Sequence, residues 1–422
     1  MIKNYFPDIH ALISITFLLI ANSAVATPSI QSVTGNITEG GTITISGSDF
    51  TTKTNAQPWF WWKADFGTAS NSPSNLGRKT SWDSTVNGSI STSTVAPGST
   101  QSIGFDHGVS SAAALGKVTF NSNRAYMFRE TNEDFDYTQD YLTSTQISNL
   151  SGSINSGDTI TGATSGATGV VASYYAGGNR IYYSATGGTI NSGTPTNFIQ
   201  NETLTSSNGA SMTNAEYFGT FRTFNFKTTR WWNLANTSSI HVSAQGANPN
   251  PTFKLTVENP NNGFTSNLQQ LPYVWKSEEV EFASSSSSGA QNGQWNFYQN
   301  GVLANGNSII TPTGANAITT IYQSQVSNGA QAGSIVYYDS LYIDDSWHRV
   351  VTCGESTWAE CKEREIQIPT AWDNNSIDIQ LNLGKFNSNQ TMFLYVVDEN
   401  GIANINGFNL CQNCPSPPQI IN

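Results

Sequence analysis

Apolar and polar residues alternate with a period of two along most of this chain. The stretches "TITISGSDF", "KVTFNS", "SIHVSAQG", "TFKLTVEN", "EEVEFAS", "QWNFYQNG", "REIQIP", "SIDIQLNLG" and "TMFLYVVDENG" each put apolar side chains on one face and polar ones on the other. That is the signature of half-buried strands. Asn, Gly, Ser and Pro punctuate them as turns do. Almost nowhere do apolar residues recur at helical spacing for more than two turns. The pattern predicts an all-β protein built as a sandwich or jelly roll.

Residues 143–214 break the rhythm. They hold almost no charge and no Trp, and "SGSINSGDTITGATSG" returns loosely as "GGTINSGTPTNFIQNETLTSS". Each half reads as a short strand, a turn and another short strand. "VVASYYAGGNRIYYSAT" is too strand-like and too aromatic for a disordered linker. The segment therefore predicts a small β module inserted between two strands of a larger domain made of 54–142 and 215–412. Residues 413–422 form a tail.

The first residues read differently again. Lys3 is followed by the short apolar run Ala11–Ile20, and "AVA" precedes Thr27. This predicts a secretory signal peptide over 1–26, removed in the mature protein. The run is too short to span a bilayer comfortably, and no other stretch is long and apolar enough to do so. The protein is expected to be secreted or on the cell surface. Only 11% of residues are charged, while 36 are Gly, as suits polar uncharged outer faces with many turns. The net charge of -11 argues against nucleic acid. It also makes an acidic polysaccharide a less natural ligand, unless a local basic groove overrides the global field.

In an exported chain Cys353, Cys361, Cys411 and Cys414 are expected to form disulfides. Of the three pairings, Cys353–Cys361 with Cys411–Cys414 is favoured. "HRVVTC" and "CKEREIQIP" flank a short loop as hairpin arms would, and facing residues of such a pair sit close enough to bridge. "CQNC" lacks the strand-to-helix setting of a redox motif, and the spacing of the four fits zinc poorly.

Three resemblances follow from particular stretches. "TPSIQSVTGNITEGGTITISGSDFTTK", over 27–53, resembles the opening of an IPT/TIG-type immunoglobulin-like domain. "DTITGATSGATGVV" resembles small β modules of phage and surface structural proteins. "SGSDFTTK", "AQPWFWW" and "ADFG", with the C-terminal "YIDDSWHRV" to "INGF", resemble exported bacterial proteins that carry a concanavalin A-like jelly roll of the polysaccharide-lyase type. Together they imply such a jelly roll with a spacer-like insertion.

Candidate chemistry is sparse. Outside the leader the histidines are His107, His241 and His348. His348, in "DDSWHRVV", would be a general acid or base if Asp344 or Asp345 oriented it. The plainer expectation is a polar-face strand residue, with Asp345–Arg349 an ordinary cross-strand charge pair. His241 points opposite to Ile240 and Val242. A lyase needs a base beside a uronate and a cation for its carboxylate, and Tyr126, Arg129, Arg222, Lys227 and Arg230 are of the right types. Nothing in their spacing joins them. The paired tryptophans are the stronger signal. Alternation sends Trp61 and Trp62, and Trp231 and Trp232, to opposite faces, so one of each pair is expected to be exposed as a sugar-stacking platform. Glu130, Glu133, Asp134, Asp136 and Asp140, and Asp398, Asn400 and Asn404, offer oxygens for calcium. They miss the EF-hand spacing, so solvated loops are expected. No cofactor is required. The overall expectation is an exported non-catalytic protein that binds carbohydrate or serves as a surface-structural or adhesive element. A polysaccharide lyase on the same jelly roll is the alternative.

Overall fold

The computed structural model describes residues 26–66, 73–106, 114–135, 143–187, 198–215, 220–221, 226–245, 252–258, 262–265, 271–325, 333–387 and 389–410. Its regular structure is strand, apart from three short 3-10 turns. Every ladder between strands is antiparallel.

Two sheets make the jelly-roll sandwich. One is six-stranded, in the order Asn262–Thr265, Thr252–Glu258, Ser239–Gln245, Phe226–Asn233, Ile318–Gln325 and Ala114–Thr119. The other is eight-stranded, with Lys276–Ala283, Arg124–Glu133 and Ile335–Asp344 at its centre and Ser89–Ser91 at one edge. Alternation aims Trp231, Ile240, Val257 and Ile321 of the first sheet at Met127, Val280, Phe282 and Ile343 of the second. Arg129 is buried in this layer too, paired with Glu278 and donating to Gln323 Oε1 at 2.8 Å.

The inserted segment carries its own sheet and core. Thr143–Ser151 pairs with Arg180–Gly187 on one side and with Ser211–Asn214 on the other. The intervening strands complete the circuit through Thr168–Tyr175, Thr159–Gly162 and Thr203–Ser206. Six of these strands close into a barrel, and Thr220–Phe221 adds a seventh along Thr143–Ser151. Ile147, Ile160, Val171, Ile181, Leu204 and Met212 fill it. Its entry and exit lie side by side, since Thr143 pairs with Phe221 and Ala215 N donates to Gln146 O.

The N-terminal strands differ from the expected layout. Ser29–Gly35 and Thr42–Ser48 are not a layer of their own: Thr42–Ser48 pairs with Ser376–Gln380. With Ile368–Trp372 they face a second four-stranded sheet built on Arg349–Cys353 and Phe393–Val397. Ile43, Ile45, Phe50, Ile377, Leu394 and Val396 are the core between them. The two ends of the chain thus form one small sandwich. Cys353 and Cys361 are bridged there, with Cα atoms 5.8 Å apart, closing the loop before the strand Arg364–Ile366. Cys411 and Cys414 lie outside the described residues.

This small sandwich covers the outer face of the eight-stranded sheet. Trp61, Tyr126, Phe128 and Tyr342 of the sheet meet Trp347, Val351, Ile366 and Ile368. Buried ion pairs cross the same contact: Arg349 Nη2 to Glu281 Oε1 at 2.8 Å and Arg364 Nη1 to Glu279 Oε1 at 2.9 Å. Tyr126 Oη donates to Glu279 Oε2 at 2.8 Å. Polar groups in a dry layer are costly without partners, and these ion pairs and hydrogen bonds supply most of them; Arg349 Nε makes no hydrogen bond and lies 3.9 Å from Glu279 Oε2.

Candidate functional site

The first tryptophan pair alternates as expected but fails to expose a member. Trp62 enters the jelly-roll core and Trp61 enters the layer under the small sandwich, at 1% and 2% exposure. The strand Phe60–Trp62 is covered on both faces, which period-two reasoning cannot detect. The second pair also alternates, but neither member is fully exposed. Trp231 is fully buried, whereas Trp232 is half-buried on the outer face of the six-stranded sheet.

Around Trp232 the ladder registers assemble a polar row. Tyr322 is opposite Arg230, Arg230 opposite His241, and His241 opposite Thr256. Lys117 extends the row beyond Tyr322. In the next row Trp232 is opposite Ser239, and Ser239 opposite Glu258. Facing residues of a ladder share a face. Their apolar neighbours Trp231, Ile240, Val257 and Ile321 are in the core, so this row points away from it.

The side chains interlock. The Arg230 guanidinium lies over the Trp232 ring, 3.9 Å from its centroid, a cation–π contact. Arg230 Nη2 pairs with Glu258 Oε2 at 2.5 Å, and Arg230 Nε donates to Ser239 Oγ at 3.0 Å. Trp232 meets Tyr322 edge-on at 6.3 Å. His241 is 1% exposed, its Nδ1 has no hydrogen-bond partner and lies 3.8 Å from Glu258 Oε1.

Burial, then the charges of Lys227 and Arg230, hold the His241 imidazole well below its usual range. It is neutral at physiological pH. Burial and Arg230 likewise push the Lys227 ammonium down to about 8. Both shifts report a cluster of cations on a partly dry surface.

Three of the residue types named from sequence therefore converge: His241, Lys227 and Arg230. Tyr322 was missed because "AITTIYQSQ" does not alternate cleanly: Ile318 and Ile321, three apart, both face the core across a register shift, and Tyr322 faces outward. Tyr126 and Arg129 lie elsewhere, in the two buried layers. Arg222 and His107 fall outside the described residues.

His348 sits apart from this face. Its Nε2 is 2.8 Å from Thr51 Oγ1, and its ring meets Trp372 edge-on at 5.2 Å. It lines a cavity of about 490 Å³ with Lys53, Arg124 and Asp345. Burial, then Lys53 and Arg124, pull its imidazole down to about 3. Asp344 does not orient it; Asp344 pairs with Lys53 and accepts from Tyr342 Oη. Nor does Asp345 pair with Arg349: it takes Arg78 at 2.6 Å, and Arg349 turns to Glu281.

The acidic stretches meet the expectation of solvated loops only in part. Glu130 and Glu133 are buried in the strand Arg124–Glu133, and Glu133 pairs with Lys276. Asp134 is exposed, and Asp136 and Asp140 lie outside the described residues. Asp398 Oδ1 accepts from the backbone of Asn400 and Ile402, and Asn404 Oδ1 from Val396 N, so that group braces a turn.

No protein-family model matches the chain, and no curated protein matches it. Among solved structures it is similar to an endo-β-1,4-glucuronan lyase from the fungus Trichoderma reesei. That match has a TM-score of 0.30 and 9% identity, and covers 68% of this chain and 95% of that one. It is also similar to the alginate lyase Aly36B, with a TM-score of 0.27, 9% identity, and 70% and 97% coverage. The receptor-binding domain of botulinum neurotoxin type G gives 0.23, 8% identity, and 86% and 80%. At these scores the likenesses carry no assignment of activity. Among the described residues no helix is long and apolar enough to cross a membrane.

Proposed function

We propose that the outer face of the six-stranded sheet binds a uronate-containing polysaccharide and cleaves it by β-elimination, in an exported protein. The observation that carries this reading is the single cross-strand row Tyr322–Arg230–His241, with Trp232 beside it. Trp232 offers a ring for the apolar face of a sugar. Lys227 and Arg230 offer positive charge for the uronate carboxylate, which makes the adjacent proton more acidic. Tyr322, half-buried at the outer side of the row, and the neutral His241 are the groups able to move protons. One takes the proton from the carbon beside the carboxylate, the bond to the neighbouring sugar's oxygen breaks, and a double bond forms in the uronate. The leaving oxygen is protonated in turn. The local cations answer the objection raised by the net charge of -11.

A second reading keeps the binding and omits the cleavage. It is favoured by the burial of His241 and by the engagement of Arg230 with Glu258. One assay separates the two: ultraviolet absorbance of unsaturated uronate during incubation with alginate, glucuronan, polygalacturonate and hyaluronan. The lyase reading expects absorbance to rise with at least one polymer and to fall by about a hundredfold or more in Tyr322→Phe, the scale of a lost acid–base group. No rise with any polymer, alongside retention on an acidic-polysaccharide gel that Arg230→Ala removes, establishes binding alone.

A further inference from the structure

We infer a binding site for an acidic sugar residue in the seam between the jelly roll and the small sandwich, where the Arg124 guanidinium takes the sugar's carboxylate or sulfate. The cavity there, of about 490 Å³, is in the size range of small-molecule sites, which favour such junctions. Four parts of the chain line it: residues 52–55, 121–124 and 345–348, and Glu399. All lie in connections between strands, except that Arg124 opens the strand Arg124–Glu133. They are tied to one another. Ser122 Oγ donates to Asp345 O at 3.0 Å, Arg124 Nη1 to Glu399 O at 2.9 Å, and Glu399 N to Thr51 Oγ1 at 3.3 Å. The wall is thus held before a ligand enters, which lowers the ordering cost of binding.

Most charges at the cavity are already committed. Lys53 pairs with Asp344 and donates to Ala56 O at 2.8 Å. Asp345 pairs with Arg78 at 2.6 Å. Thr51 Oγ1 donates its own proton to Phe50 O, so it accepts from His348 Nε2, and the neutral imidazole adds no charge. Arg124 differs. It is exposed, with its guanidinium 4.9 Å from the centroid of the Trp347 ring, and it spends a donor on Glu399 O. Among the described residues no carboxylate pairs with it. Its remaining donors form the planar fork that meets a carboxylate or sulfate through parallel hydrogen bonds. Glu399 is the other exposed charge on the rim. Its carboxylate accepts from sugar hydroxyls and repels a second anion, so the site takes one acidic group at a time. Thr52, Thr54, Asn55, Asn121 and Asn123 stand exposed around the same opening. Hydroxyls and amides bond to sugar hydroxyls in either direction. No lining residue belongs to the six-stranded sheet, so this site does not rest on the lyase reading.

Ligand-observed NMR titration tests it on the full chain carrying Arg230→Ala, which removes a cation from the six-stranded face. The probes are methyl glucuronide, sulfated galactose and, as neutral control, methyl glucoside. At least one acidic probe should bind. Adding Arg124→Ala should raise its dissociation constant by about tenfold or more, the scale of a lost hydrogen-bonded charge pair. Binding of the glucuronide alone identifies a carboxylate ligand, and binding of the sulfated sugar alone a sulfated one. Thr54→Trp, at an exposed position on the rim, is a second variant. It fills the cavity and should abolish binding without lowering the melting temperature. Failure of both acidic probes to bind overturns the inference. So does binding that survives both Arg124→Ala and Thr54→Trp, and so does equal affinity for the neutral sugar.

Discussion

The two tryptophan pairs, so alike in sequence, have different energetic roles. Trp61 and Trp62 each fill a dry layer, so replacing either by Ala should cost about 3–5 kcal/mol. Trp232 loses mainly a half-buried face and its contact with Arg230, worth about 0.5–1 kcal/mol. Denaturant titration of the three Ala variants should show that order. Burial also sets a pH response. Asp339 and Glu130 face one another across the ladder. Burial, and secondarily Glu365, pushes the Glu130 carboxyl up to about 8. Burial and then Glu130 push Asp339 up to about 7. Carboxyls with raised values bind protons more tightly folded than unfolded, so their contribution is complete below the ordinary carboxylate range. It is lost as pH rises through about 7 to 8. The melting temperature should fall over that interval, and Glu130→Gln should flatten the fall. A melting temperature that rises with pH there would contradict this placement of the pair.

The strands themselves were legible because period-two alternation is a local signal. "TITISGSDF" and "SIDIQLNLG" both read as strands, but nothing in either says that they pair with each other across more than 300 positions, Thr42 against Gln380. The Cys353–Cys361 bridge was legible because both arms of its loop were visible together. The double burial of Phe60–Trp62 was not, since it needs the small sandwich as a third layer. The inserted barrel is the element most open to test. Its core residues come from within the insertion, and its entry and exit are hydrogen-bonded neighbours. Replacing 143–214 by a short Gly/Ser linker should leave the remainder soluble, with one cooperative melt by circular dichroism. Loss of all soluble protein would show that the barrel shares the main core.

At the scale of the whole molecule, the small sandwich and the jelly roll are fastened by an apolar layer threaded with ion pairs. Arg349→Ala leaves Glu281 buried without its cation, a change that costs about 3–5 kcal/mol at such sites. The variant should melt lower in calorimetry; an unchanged profile would contradict the contact. This fastening closes the outer face of the eight-stranded sheet near Trp61 and leaves the outer face of the six-stranded sheet to carry Trp232, Tyr322, Arg230 and His241. The sequence named His241, Lys227 and Arg230 by chemical type but could not join them to Tyr322, because the row exists only across paired strands. Whether that row receives the ligand is the central claim. Hydroxyl-radical footprinting with and without a uronate oligosaccharide addresses it most directly. Oxidation of Trp232 and Tyr322 should fall on binding, while that of Tyr337 and of the exposed barrel residue Tyr175 does not change. Protection elsewhere, with Trp232 and Tyr322 oxidised as before, would contradict it.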